Sequence, residues 1–212
     1  MTTPAPLPGP SAHRPPAHLE GAPVRVRRAT TEDRAVLERL WLLFRHDMSA
    51  VSGELPGPDG RFRDDRLRAA LDEIDRDVRA DGGGTGRRAA TWRGYLAVLP
   101  DGAPGRSGER PVAFALVRGL DAPTRVLSAF FVARAARQRG VGRDVAAAVL
   151  RDVPGPWEIA YQDANAGAAA FWPRVATEVA GDGWSVTHRP VPGRPEVPPD
   201  AWLSLVVGQV PG

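Results

Sequence analysis

LSAFFVARAARQRGVGRDVAAAVLR, residues Leu127 to Arg151, opens with a short apolar run and closes with a helical period. Leu127 to Val132 is apolar apart from Ser128 and carries Phe130 and Phe131, the pattern of a strand buried on both faces. Val141, Val145, Ala148 and Val149 then fall on one stripe of a 3.6-residue period, which predicts a helix beginning near Gly140. Between the two lies Arg137-Gln138-Arg139-Gly140-Val141-Gly142, basic and glycine-bearing where the helix starts. The first amides of a helix lack intrahelical acceptors and sit at the positive end of its dipole, so they can hold phosphate oxygens. Glycine at 140 and 142 would leave those amides uncovered by a Cβ, and Arg137, Arg139 and Arg143 would add charge around a diphosphate. The bland alternative is a solvated helix cap.

Two other phosphate motifs are excluded. A dinucleotide-binding turn needs a third glycine or alanine where Val145 stands, and it follows its strand directly, whereas seven residues separate Val132 from Gly140. A Walker A loop needs lysine, and the chain has none; Gly82-Gly83-Gly84-Thr85-Gly86 runs into Arg87-Arg88 and reads as a flexible linker.

The spacing Arg137-x-x-Gly140-x-Gly142 after a buried strand resembles the acetyl-CoA motif of the GNAT superfamily of N-acetyltransferases. A second stretch, Asn165-Ala166-Gly167-Ala168-Ala169-Ala170-Phe171-Trp172, resembles that family's Asn-x-x-Ala-x-x-Phe-Tyr helix start. The resemblance spans about Val24 to Val207 and implies an α/β fold. Its mixed, mostly antiparallel central sheet would have six or seven strands, helices on both faces and two splayed parallel central strands. It implies acetyl-CoA as co-substrate, with Phe131 and Val132 pairing with the pantetheine arm through main chain. Arg137, Gln138, Arg139, Gly140, Val141, Gly142, Arg143, Asn165 and Phe171 complete the cofactor-binding set.

Composition sets the outer bounds. A chain of 212 residues is long enough for one self-sufficient core, here read as residues 24–208, with a Pro/Ala-rich disordered tail at 1–23 and a short tail at 209–212. The absence of cysteine removes thiolate metal sites, and His13, His18, His46 and His188 show no ligand spacing, so no metal is expected. No leader pattern or 18-residue apolar run occurs, which makes cytoplasmic the default expectation and a membrane partner unexpected. All 28 basic residues are arginine for a net charge of +3. Those of Arg63 to Arg79 are interleaved with Asp64, Asp65, Asp72, Glu73, Asp75 and Asp77, a solvated helix face; no nucleic-acid partner is expected.

In chain order, Val24 to Arg27 alternates as a strand, and Thr30 or Thr31 caps a helix carrying Ala35, Val36, Leu40, Leu43 and Phe44. His46 to Gly60 reads as a loop, followed by a helix with Phe62, Leu67, Leu71, Ile74 and Val78. Ala89 to Leu99 and Val112 to Val117 read as a strand pair leading into Leu127 to Val132. Trp157 to Tyr161 follows the cofactor helix and so runs parallel to that strand. Asn165 begins a helix in which Pro173 should leave a kink or frayed turn, and Trp184 to His188 and Trp202 to Val207 are the last strands.

The resemblance places the helix-loop-helix at 31–78 over the acceptor. Asp47, Glu54 and Asp59 would then attract a cationic amine, or serve as ordinary turn residues. Acetyl transfer needs a base, oxyanion donors and a proton for the thiolate. The family's main-chain oxyanion donor falls on Val132, but its tyrosine acid falls on Trp172, whose indole cannot play that part. Tyr161 is the nearest substitute, or a core aromatic. No carboxylate lies between Leu127 and Val132, which leaves Glu158 on the next strand as base candidate or as a salt bridge with an arginine. Asp47 or Asp59 acting through water is a further option. The sequence therefore points to an acetyl-CoA-dependent N-acetyltransferase for a primary amine of a small molecule or peptide, acting as a monomer or homodimer. A non-catalytic acyl-CoA sensor, or an enzyme using another acyl-CoA, is the alternative.

Overall fold

The computed structural model describes residues 23–80, 90–101 and 108–208, with the side chains of 77–80 excepted. The expectations for the 1–22 and 209–212 tails, for Gly82 to Gly86 and for the side chain of Val78 lie outside the described residues. Seven strands form one sheet in the order β1-β2-β3-β4-β5-β7-β6: β1 Arg25–Arg28, β2 Trp92–Pro100, β3 Glu109–Arg118, β4 Arg125–Val132, β5 Gly155–Tyr161, β6 Trp184–Arg189 and β7 Asp200–Val207. The helices are α1 Arg34–Ser52, α2 Asp65–Ala80, α3 Val141–Asp152 and α4 Ala166–Ala180. Every neighbouring pair is antiparallel except β4–β5, which α3 joins as a parallel crossover.

The central strands carry apolar residues on both faces, so the sheet supports two cores. On one face Leu37, Leu40 and Trp41 of α1 and Leu67, Leu71 and Ile74 of α2 pack against Leu96, Phe114, Leu116, Ala129 and Phe131. On the other, Val141, Val145 and Val149 of α3 and Trp172 and Val175 of α4 pack against Val117, Leu127, Trp157, Ile159 and Leu203. Each large side chain buried this way contributes about 1.5–3 kcal/mol relative to exposure. Two helical stripes differ from the expected ones: Ala148 lies on the exposed side of α3, where Ala146 and Leu150 are buried instead, and Ala35 and Leu43 are exposed on α1.

The expected loop from His46 is also corrected. α1 continues through Ser52 and ends at Gly53, whose left-handed φ of +68° closes it. Tertiary ion pairs hold this polar last stretch helical, and no local pattern announces them. Phe62 precedes α2 rather than lying on it. At the start of the first helical segment, the Thr30 N–H and Oγ1–H donate to Asp33 Oδ2 at 2.8 and 3.2 Å, a cap within a short 3-10 turn that leads into α1. Pro173 sits inside an α4 that runs unbroken from Ala166 to Ala180.

Candidate active site

β4 and β5 pair only from Arg125 to Leu127 against Trp157 to Ile159, yet β4 continues to Val132 and β5 to Tyr161. Beyond Leu127 the two parallel strands fork. A β-bulge marks the onset, because Leu116 faces Ala129 while Val117 faces Leu127, leaving Ser128 as the extra residue. Its Oγ is buried without a hydrogen-bond partner, and its carbonyl accepts a bond of 3.1 Å from Arg66 Nη1 on α2.

The Ala133 N–H donates to the Val112 carbonyl at 2.7 Å, so odd-numbered residues at the end of β4 turn their main chain toward β3. The open edge therefore belongs to Phe130 and Val132, and the expected main-chain role of Phe131 is corrected. Phe131 pairs with Phe114 across β3 and buries its ring in the α1/α2 core.

α3 starts directly beyond this edge. Gly140 adopts φ +78°, which glycine tolerates and a Cβ-bearing residue resists, and Gln138 also stands at positive φ, 62°. No side chain caps α3, whose first intrahelical bond runs from Asp144 N–H to Gly140 O. α4, by contrast, is capped: Asn165 Oδ1 accepts from the Ala168 N–H at 3.1 Å. The uncapped amides, with Gly140 imposing no Cβ, form a cradle suited to a diphosphate. Gly142 serves differently from the expectation, since a Cβ there would lie 3.5 Å from the Phe171 ring and 3.6 Å from Val132 Cγ2, on the protein side of the turn. Val141 is buried in the α3/α4 core and reaches the cradle by main chain alone.

The arginines of the motif are occupied by the protein to different degrees. Arg137 donates from Nε to the Val132 carbonyl at 2.8 Å, lies over the Phe131 ring and pairs with Asp47. Arg143 pairs with Glu178 of α4 at 3.2 Å, and Arg139 is half-buried. Asp47 also takes Arg134 at 2.8 Å; burial opposes its charge, but the two guanidinium groups hold its carboxyl below the usual range. Of the other acids expected to greet an amine, Glu54 is bound by Arg45 and Asp59 Oδ1 accepts the Arg61 N–H at 3.1 Å in a turn. Asp47 and Glu54 are thus paired with arginines, while Asp59 is exposed and takes a single main-chain N–H.

Phe171 stacks on Phe130 at 5.8 Å, and both meet Trp172 edge-on at 4.8 and 5.1 Å, so Trp172 is a buried ring of this cluster. Tyr161 stands half-buried at the tip of β5, its side chain on the α3/α4 face. Burial, then the charge of Asp163, keeps its hydroxyl protonated to higher pH than usual. Glu158 lies behind the fork, opposite Val126, with its carboxylate 2.7 Å from Arg189 Nη2, which also stacks on Trp202 at 4.8 Å.

Asp200 was absent from the sequence reading. It begins β7 beside Tyr161, whose partner is Ala201; because Ala201 faces the α4 core, Asp200 points to the opposite face, where α1 and α2 lie over β4. It is half-buried, and burial raises its carboxyl pKa while Arg66 opposes the rise. Arg66 is thus bonded to Ser128 on β4 and bears electrostatically on Asp200 of β7. A proline-rich approach, Val197-Pro198-Pro199, gave no hint of the following aspartate's placement.

Neither a protein-family model nor a curated protein matches the sequence. Among solved structures 79 chains match. A GNAT-family acetyltransferase from Staphylococcus aureus Mu50 superposes with a TM-score of 0.53 at 12% identity, over 88% of this chain and 100% of that one. The PaiA N-acetyltransferase from Thermoplasma acidophilum, in complex with coenzyme A, gives 0.50 at 10% identity over 87% and 99%. The ribosomal-protein-S18-alanine N-acetyltransferase from Escherichia coli gives 0.50 at 12% over 90% and 97%. The chain has the fold of the GNAT acetyltransferases, shared at the level of architecture. Among the described residues no cluster of His, Asp or Glu could hold a metal, and no helix is long and apolar enough to cross a membrane.

Proposed function

We propose that this protein is an acetyl-CoA-dependent N-acetyltransferase acting on a primary amine of a small molecule or peptide. The observation that carries the reading is the fork between β4 and β5, opening beside an α3 N-terminus that no side chain caps. The residues fit acetyl-CoA: the amides after Gly140 receive the diphosphate, and the open edge at Phe130 and Val132 receives the pantetheine amides. Bound there, the co-substrate supplies an acetyl group as its thioester.

The chain's own groups then supply the rest. The Val132 N–H donates to the thioester oxygen as charge develops on it. Asp200, on the acceptor face and with a raised pKa, takes the proton of the attacking amine as its nitrogen bonds to the acetyl carbon. The carbon–sulfur bond breaks, and the thiolate takes a proton from the Tyr161 hydroxyl or leaves unaided, its intrinsic pKa being about 8.5. Arg137 holds the end of the open edge through the Val132 carbonyl. Replacement of the family tyrosine by Trp172 favours a second reading, a binding module without turnover.

A thermal melt with acetyl-CoA beside ATP as control, followed by a thiol-release assay with an amine panel, tests both readings. Ligand at 100 times Kd adds about 2.7 kcal/mol. For a domain of this size that is about 2–4 °C per kcal/mol. A shift with acetyl-CoA and not with ATP, followed by free thiol only when amine is present, is expected. A shift without thiol release would leave the binding module standing, and no shift at saturating ligand would reduce the Arg137 to Gly142 turn to a plain helix cap.

A further inference from the structure

A cleft of about 590 Å³ opens between the α1–α2 loop and the β6–β7 loop, its walls including Gly53, Glu54, Leu55, Arg61, Arg63 and Arg194. Its loops connect to elements that contact β4 or lead toward Asp200. α1 ends there after Asp47, which pairs with Arg134 and Arg137 beyond β4. The Arg63 carbonyl accepts Trp41 Nε1–H at 3.0 Å, and Arg66, three residues on, reaches Ser128. Arg194 precedes Asp200 by six residues.

Arginine outnumbers acid among the side chains that line this cleft, with Asp59 close by at Gly57 and Asp65 and Glu196 paired to two of the arginines. Glu54 is the single lining acid, and Arg45 holds it. Arg61 uses only its main chain in the turn, and among the described residues its guanidinium takes no partner. Arg63 and Arg194 each make one contact to a neighbour two residues along, Asp65 at 3.1 Å and Glu196 at 2.9 Å, and stay 79% and 53% exposed. Such exposed pairs are weak, and each guanidinium keeps N–H groups free in a planar fork that matches a carboxylate or phosphate. Leu55, 82% exposed, supplies an apolar wall beside them.

Building on the acetyltransferase reading, we propose that the acceptor amine also carries an anionic carboxylate or phosphate group, held by Arg61, Arg63 and Arg194 while the amine reaches the fork. Arginine cations would also bias a nearby amine toward its neutral, nucleophilic form, because a second positive charge there is disfavoured. The transfer chemistry is unchanged; the cleft selects which amine is presented.

The test is thiol release with amines of matched length: an amino carboxylate, an aminoalkyl phosphate, the neutral amide and alcohol twins of each, and a diamine. At least one anion-bearing amine is expected to show a kcat/KM about tenfold or more above its neutral twin, with the diamine lowest. In the Arg61→Gln/Arg194→Gln double variant, KM for that acceptor should rise by about tenfold, with KM for the neutral twin and the acetyl-CoA melt shift unchanged. Neutral or dicationic amines acetylated as well as anionic ones, or an unchanged KM in the double variant, would overturn the proposal and leave the acetyltransferase reading intact. No melt shift with acetyl-CoA would remove that reading first, and the proposal with it.

Discussion

Asp200 and Glu158 show how little a residue's type says about its use. Both are carboxylates on one face of neighbouring strands, yet Glu158 is spent on Arg189 behind the fork and Asp200 stands half-buried next to the residue paired with Tyr161 at the tip of β5. Burial strengthens Asp200 as a base. Asp200→Asn should therefore lower kcat/KM by about 10²-fold or more and abolish its rise with pH, because the wild-type rate climbs as pH increases through the raised Asp200 pKa. Glu158→Gln should keep the wild-type profile. If the profile flattens in Glu158→Gln and persists in Asp200→Asn, the two roles are exchanged. The same raised pKa gives Asp200 a stabilising effect that fades as pH rises, so the rate and stability profiles run in opposite directions.

At the level of elements, close approach decides more than propensity. Gly94 sits in β2 where α2 and the residue after β1 come nearest, and a Cβ there would lie 3.0 Å from Ile74 Cδ1 and 3.3 Å from Ala29 Cβ. Gly94→Ala should destabilise by about 1–3 kcal/mol, read as a lowered Tm, with acetyl-CoA affinity retained because the fork lies elsewhere. An undiminished Tm would mean that α2 shifts freely. The end of α1 illustrates the same dependence on contacts. His46 to Ser52 has no helical stripe of its own and is held by Asp47 on Arg134 and Arg137, partners about ninety positions away.

Across the whole molecule, three aspartates are held by arginine, two of them by partners far away in the chain. Arg27 donates to Asp33 at 2.5 and 2.7 Å; Arg28, Arg93 and Tyr95 converge on Asp152 at the end of α3; Arg134 and Arg137 hold Asp47. The Arg27 hydrogen bond leads in lowering Asp33, and in Asp47 and Asp152 the arginine bonds outweigh burial. Their stabilisation is complete above the unfolded aspartate pKa of about 3.9 and is lost as pH falls through the lower folded values. Urea midpoints should hold constant from pH 7 to 5 and fall steeply below 4, and Asp33→Asn should shrink that fall. A midpoint flat to pH 3 would show these pairs to be inert.

The order of strands and helices was legible in the sequence because periods, caps and glycine punctuation act over a few residues. The turn at Gly140 was legible for the same reason, since strand end, Gly140 and helix start are contiguous. The motif arginines were less so: Arg137 and Arg143 found protein partners that spacing does not encode. Arg66 and Ser128, bonded at the bulge of β4, and Asp200, whose charge Arg66 influences, come from α2, β4 and β7. The sequence by itself determined the elements and the uncapped, glycine-led start of α3. Only the tertiary structure decided which carboxylate faces the fork, which acids are neutralised and where arginines gather, because pairing register, burial and charge neighbours are set by residues far apart in the chain.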